Sequence, residues 1–137
     1  MMKPRVLVVD DSAMNVELVS FVLGSDGFVV DEAVDASEAA TRIGTSRPDL
    51  ILMDIQLPGL DGVAFTRVLK ADPHTRDIPI VAFTAYAMKG DEARLLEAGC
   101  DGYLSKPIDV ATFATRVRSF LRTAVSTQPP RAPASPA

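Results

Sequence analysis

"PDLILMDIQLPGLDG", residues 48–62, runs four apolar side chains, Leu50 to Met53, straight into one carboxylate, Asp54, and then into a turn marked by Pro58-Gly59. An apolar run of this length without polar alternation reads as a strand buried on both faces. A buried strand gains nothing from an unpaired charge, because desolvating one is costly. Asp54 is therefore either a polar stop on the strand or a reagent mounted on it. The ends of the other strands decide between these readings.

Two more runs share the pattern: "RVLVV" (5–9) and "IPIVAF" (78–83). "FVVDEA" (28–33) and "GYLS" (102–105) are shorter of apolar residues and more mixed, as edge strands are. Helical spacings lie between them. Val16, Val19 and Leu23 follow the capping candidates Asp11 and Ser12. Ala36, Ala39, Ala40 and Ile43 form a second stripe, Ala64 and Val68 a third, and Ala93 and Leu96 a fourth. Val110, Phe113, Ala114, Val117, Phe120 and Leu121 form the fifth and clearest. Strands alternating with helices imply an α/β fold with a parallel sheet covered on both faces. Weak second and fifth strands belong at the edges, and right-handed crossovers then favour the order 2-1-3-4-5. The expected fold is a flavodoxin-like, doubly wound (βα)5 domain with a parallel five-stranded sheet.

The chain of 137 residues is long enough for one domain with a real core. The last twelve residues, "STQPPRAPASPA", hold four prolines and no large apolar side chain, which predicts a folded unit over 1–125 and a disordered tail over 126–137. A net charge of −4 argues against a nucleic-acid surface. One cysteine, Cys100, excludes an internal disulfide. No apolar run approaches a membrane span, and the opening "MMKPRVLVVDD" is not a signal peptide, so a cytoplasmic protein is expected.

In an open α/β sheet, ligands bind beyond the carboxyl ends of the strands, at the switch point. Strand 1 ends in Asp10-Asp11, strand 3 in Asp54, strand 4 in Thr84 and strand 5 in Ser105-Lys106-Pro107. One rim thus receives three carboxylates, a hydroxyl and an ammonium. Three carboxylates brought together repel and call for protons or a cation. Oxygen ligands suit Mg²⁺, with Mn²⁺ as a substitute, whereas a chain with one His and one Cys offers little for zinc. The single histidine, His74, lies in the polar loop "DPHTRD" and is expected to face solvent, and Cys100 is expected to be a small buried residue. A carboxylate beside Mg²⁺ can attack phosphorus to give an acyl phosphate, with Lys106 and Thr84 holding the remaining oxygens. On this reading the strand is a rigid mount for a nucleophile.

These segments carry a resemblance. "VLVVDDS", "LILMDIQLPGLDG", "IVAFTAYA" and "YLSKPI" together resemble the receiver domain of two-component response regulators, most of all the single-domain, DivK-like type and receivers fused to hybrid histidine kinases. The resemblance covers residue 3 to about residue 124. It implies that Asp54 takes a phosphoryl group from a phosphohistidine on a sensor histidine kinase or a His-containing phosphotransfer protein. It implies Mg²⁺ ligation by Asp11, Asp54 and the backbone carbonyl of Gln56, with Asp10 acting through a metal-bound water. Lys106 would pair with a phosphoryl oxygen, Thr84 would move toward another, and Tyr103 would swing inward with it. The Lys106-Pro107 bond would be cis. The small Ala85 would leave the site open to a donor, and a bulky Tyr86 would shield the acyl phosphate and slow its hydrolysis. Helix 4, strand 5 and helix 5 would present the surface that a downstream protein reads, with Tyr86 and Met88 as apolar anchors beside the charged face of Lys89, Asp91, Glu92 and Arg94. A monomer or weak dimer is expected.

Other functions fit less well. A phosphate sink or a relay intermediate shares the same chemistry. An Mg-dependent aspartate-nucleophile phosphohydrolase needs a second acid two residues past the nucleophile, where this chain has Gln56. A flavin carrier needs a hydroxyl- and glycine-rich loop after strand 1, where this chain has Asp10-Asp11. A scaffold that never accepts phosphate would bind its partner unchanged when Asp54 is replaced by Ala.

Overall fold

The structure, a computed structural model, describes residues 3–55, 62–84 and 89–126. Strands β1 (Arg5–Val9), β2 (Val29–Ala33), β3 (Leu50–Asp54), β4 (Ile80–Thr84) and β5 (Gly102–Ser105) alternate with helices α1 (Ala13–Ser25), α2 (Ala36–Thr45), α3 (Gly62–Ala71), α4 (Lys89–Ala98) and α5 (Phe113–Ser126). Every strand pairing is parallel and the order is β2-β1-β3-β4-β5, as the sequence pattern predicts. β3 and β4 are buried along their whole length, while β2 and β5 are half-exposed, which is the burial expected of centre and edge.

The central strands are apolar along both faces up to their polar ends because each face meets helices. Leu7, Val9, Ile51, Met53, Ile80 and Ala82 point into one core, shared with α2, α3 and α4. Val6, Val8, Leu50, Leu52, Val81 and Phe83 point into the other, shared with α1 and α5. This is the period of two that a pleated strand imposes. Ser12 caps α1 by accepting from Asn15 N. Asp35 caps α2 by accepting from Glu38 N at 2.8 Å, while Glu38 reaches back to Val34 N at 2.9 Å, a reciprocal closure of the helix entrance.

Three apolar stripes sit differently from the sequence reading. In α3 the buried apolar side chains are Val63, Phe65 and Leu69, and Val68 is exposed. In α4 they are Leu95 and Ala98, and Leu96 is exposed. Both helices carry adjacent apolar pairs, Val68-Leu69 and Leu95-Leu96, so spacing alone leaves the phase open by one residue. Val110 is exposed because it precedes α5, which begins at Phe113. Of the tail expected over 126–137, all but Ser126 at the end of α5 lies outside the described residues. Among the described residues no helix is long and apolar enough to cross a membrane.

At the amino edge of the sheet, Lys70 of α3 ties the layers together. Its Nζ donates to Arg76 O at 3.1 Å, Ile78 O at 2.9 Å and Asp101 Oδ2 at 3.0 Å. The same Asp101 oxygen accepts from Ile80 N at 2.8 Å. Gly27 and Gly99, at φ of 93° and 109°, make the turns at this edge.

Candidate functional site

The site is a consequence of strand register. β1 and β3 pair Val6 with Leu50 through Val9 with Met53, so one further step sets Asp10 level with Asp54. β3 and β4 pair Asp54 with Phe83, and β4 and β5 pair Thr84 with Ser105. Lys106 N donates to Thr84 O at 2.8 Å, which extends the ladder by one residue and brings the lysine to the same rim. The Lys106-Pro107 bond is cis.

Asp10, Asp11 and Asp54 converge: each offers a carboxylate oxygen, and these oxygens lie within 4.8 Å of one another. Asp10 and Asp54 are buried, at 1% and 6% exposure, while Asp11 is exposed and opens the cluster to solvent. Lys106 Nζ lies 2.8 Å from Asp10 Oδ2 and 3.4 Å from Asp54 Oδ2. The nearer contact is an ion pair of poor alignment, since Asp10 Oδ2 is buried with no hydrogen-bond partner of good geometry. Its companion oxygen Oδ1 accepts from Ser12 N at 2.9 Å. Phe83 supports the amine from below, its ring centroid 5.1 Å from Lys106 Nζ.

The donor set fits a divalent cation. All three side chains offer hard oxygen ligands, and a buried carboxylate oxygen without an aligned donor is the kind of group that a cation satisfies. One ammonium facing more than one carboxylate leaves an excess of negative charge among the described residues of the rim.

Thr84 is fully buried at the end of β4, on the strand next to Asp54. Tyr103 is half-buried in β5 and packs on the core beside α3 and α4. Gln56, Ala85, Tyr86 and Met88 lie outside the described residues. Of the charged face expected on α4, Arg94 is exposed. His74 is exposed. Cys100 is buried and free, and burial pushes its thiol pKa up; a hydrogen bond with Thr66 opposes that rise, Asp101 adds to it and Lys70 opposes it.

Sequence reading passed over the outer face of α1. Met14, Leu18 and Phe21 recur at helix spacing and are exposed, Met14 at 78% and Phe21 at 73%. The signal was available: "AMNVELVSFVLGS" is apolar on both faces, and a helix apolar all round is expected to be covered on both. It also passed over Gly62, which is packed against the Asp54 backbone.

Fold and site together define a flavodoxin-like α/β domain with an acidic, cation-type cleft at the switch point of its sheet. The family described as "Response regulator receiver domain" matches residues 6–118. The polar-differentiation response regulator DivK of Brucella anthropi is 42% identical over 120 residues, which cover 88% of this chain and 98% of that protein. Among solved structures, the receiver domain of a sensor histidine kinase from Pseudomonas aeruginosa has a TM-score of 0.79 at 34% identity, covering 88% of this chain and 99% of that one, with a magnesium ion coordinated in its active-site cleft. The chemotaxis protein CheY4 of Vibrio cholerae gives a TM-score of 0.82 at 26% identity, covering 87% and 99%. The chain belongs to the response regulator receiver domain family. Receiver domains bind Mg²⁺ at an acidic pocket, are phosphorylated by histidine kinases and act on downstream targets.

Proposed function

We propose that this chain is a phosphorylation-controlled protein-binding switch that accepts a phosphoryl group on Asp54. The observation that carries the proposal is the position of Lys106 Nζ, 2.8 Å from Asp10 and 3.4 Å from Asp54. That amine is placed to pair with an oxygen of a group arriving on Asp54. In the transfer, the P–N bond of a phosphohistidine breaks as an Asp54 carboxylate oxygen bonds to phosphorus, and the imidazole leaves with the electron pair. Asp10, Asp11 and Asp54, with the Gln56 carbonyl, would hold Mg²⁺ or Mn²⁺, which when bound neutralises charge on the transferring oxygens. Lys106 holds one phosphoryl oxygen. Thr84, buried on the next strand, supplies its hydroxyl to another, and Tyr103 follows it inward. The added charge biases the surface of α4, β5 and α5 toward one of two forms, and a downstream protein binds that form.

The donor is a sensor histidine kinase or a His-containing phosphotransfer protein. The exposed stripe of Met14, Leu18 and Phe21 supports this, because α1 starts at the Ser12 cap beside Asp11. A helix seated on that stripe would hold its histidine over Asp54. The phosphoacceptor unit is residues 1–125, working in the cytoplasm as a monomer or weak dimer. It is a signalling protein that assists only its own phosphorylation and dephosphorylation. Incubation with Mg²⁺ and a small phosphodonor, read by intact mass, tests the proposal: the wild type gains one phosphoryl group and Asp54→Asn none. A wild type that gains nothing, or an Asp54→Asn variant that gains as much, refutes it. Phe21→Ser is expected to slow transfer from a phosphohistidine protein and to leave labelling by the small donor unchanged.

A further inference from the structure

The backbone of the acceptor strand is gripped from one side by the start of α3, and the grip depends on a missing side chain. A Cβ added to Gly62 would stand 2.2 Å from Asp54 O, 2.6 Å from Ile55 Cα and 2.9 Å from Asp54 C. All three nearest atoms belong to the Asp54–Ile55 peptide, and all are backbone. No flexible side chain is there to move aside, so any residue but glycine displaces either the helix or the strand end. Gly62 N donates to Ile55 O at 3.0 Å, which ties the two ends of the 56–61 connection together. From the helix side, the buried Thr66 hydroxyl donates to Gly62 O at 2.7 Å. Short contacts therefore run from Thr66 through Gly62 to the peptide that carries Asp54.

We propose that Gly62 is a positioning residue: its bare backbone seats α3 directly on the Asp54–Ile55 peptide, and this contact fixes the acceptor carboxylate relative to Asp10 and Lys106, with Thr66 as the latch. The tolerances make this consequential. The Lys106–Asp54 separation of 3.4 Å leaves little room before the pair is lost, so a displacement of the strand end by the amount a Cβ demands breaks it. The inference rests on the reading of Asp54 as a cation-assisted phosphoacceptor and adds a residue that touches neither cation nor phosphoryl group.

The test uses the full chain and Mg²⁺ alone as probe, far below the unfolding temperature, followed by labelling with a small phosphodonor. Gly62→Ala is expected to weaken Mg²⁺ binding and slow labelling by at least about tenfold, the scale on which misplacement of a positioned group acts. Gly27→Ala is the control for lost stability. It strains a positive-φ turn at the opposite edge of the sheet and is expected to lower the unfolding midpoint while leaving Mg²⁺ affinity unchanged. Thr66→Val, which adds no bulk, covers the case in which Gly62→Ala does not fold: a few-fold loss of Mg²⁺ affinity, recovered in Thr66→Ser, supports the latch. The proposal is overturned if folded Gly62→Ala binds Mg²⁺ as the wild type does, or if Gly27→Ala weakens binding equally. It is also overturned if Gly62→Ala fails to fold and Thr66→Val binds normally. A wild type that neither binds Mg²⁺ nor accepts phosphate removes the underlying reading instead, a result distinct from any of these.

Discussion

The two edges of the sheet each hold a lysine against aspartate, and they are built to opposite ends. At the amino edge, Lys70 Nζ has three acceptors at 2.9–3.1 Å, and the Asp101 oxygen it meets is also bound by Ile80 N. That is a closed network in which each donor has its acceptor. At the carboxyl edge, Lys106 faces two carboxylates, one at 2.8 Å without good alignment and one at 3.4 Å, with Asp11 standing by. Among the described residues that network is open: three carboxylates gather there, one amine faces two of them, and Asp10 Oδ2 has no aligned donor. The same residue types thus make a staple at one rim and, at the other, a carboxylate cluster in which Asp10 Oδ2 is buried without an aligned donor. Surplus charge in a cleft is held there by the fold, which offsets it with two apolar cores.

Exchanging each lysine for methionine is the most direct way to break that comparison. Lys106→Met should lower the rate of labelling by a small phosphodonor by about 10²–10³, the usual loss when one preorganised charge is removed from a transition state. Its unfolding midpoint should also fall, because the buried Asp10 and Asp54 lose the amine that faces them, so the rates are compared below that midpoint. Equal labelling rates for variant and wild type would mean that the open network is not the working one. Divalent cation separates the edges further. Mg²⁺ at 100 times its dissociation constant should stabilise the wild type by about 2.7 kcal/mol. The increment should vanish in Asp11→Asn and persist in full in Lys70→Met, as denaturant melts with and without Mg²⁺ will show.

Lys70→Met should cost stability alone. Removing the amine leaves the carbonyls of Arg76 and Ile78 without this donor, at a cost of about 1–3 kcal/mol. The Coulombic part is small because Asp101 is partly exposed, its side chain at 44%. Labelling rates should stay at the wild-type level once measured below the lowered midpoint. A denaturant midpoint that does not move would show that water replaces the amine at no cost, and the staple would lose its meaning.

The open edge was legible in the sequence and the closed edge was not, for a physical reason. Asp10, Asp54 and Thr84 each follow an apolar run directly, and Asp11 and Lys106 stand one residue further on, so a parallel sheet delivers them to one rim whatever the details of packing. Lys70 reaches its partners from the last turn of a helix, across a turn and to the start of another strand. Nothing in local periodicity encodes that meeting. The phase of α3 and α4 was lost for a related reason: adjacent apolar residues satisfy a helical stripe in two registers, and only the tertiary contact chooses between them. The grip of Gly62 on Asp54 O belongs to the same class, since a glycine opening a helix reads from sequence as a mere turn.

Cys100, buried ahead of β5 and next to Asp101, gives the smallest effect. Burial raises its thiol pKa above the ordinary 9.0, and the sign of the linkage follows. Below pH 9 the thiol is protonated in both folded and unfolded chains and contributes no pH dependence. Above it the unfolded chain releases the proton while the folded chain keeps it, so stability falls as pH rises until the folded thiol ionises in turn. Denaturant midpoints from pH 8 to 10.5 should therefore decline more steeply for the wild type than for Cys100→Ala, and the native thiol should resist alkylation at pH 8. Parallel slopes, or rapid alkylation of the folded protein, would show instead that the core around Cys100 opens to solvent.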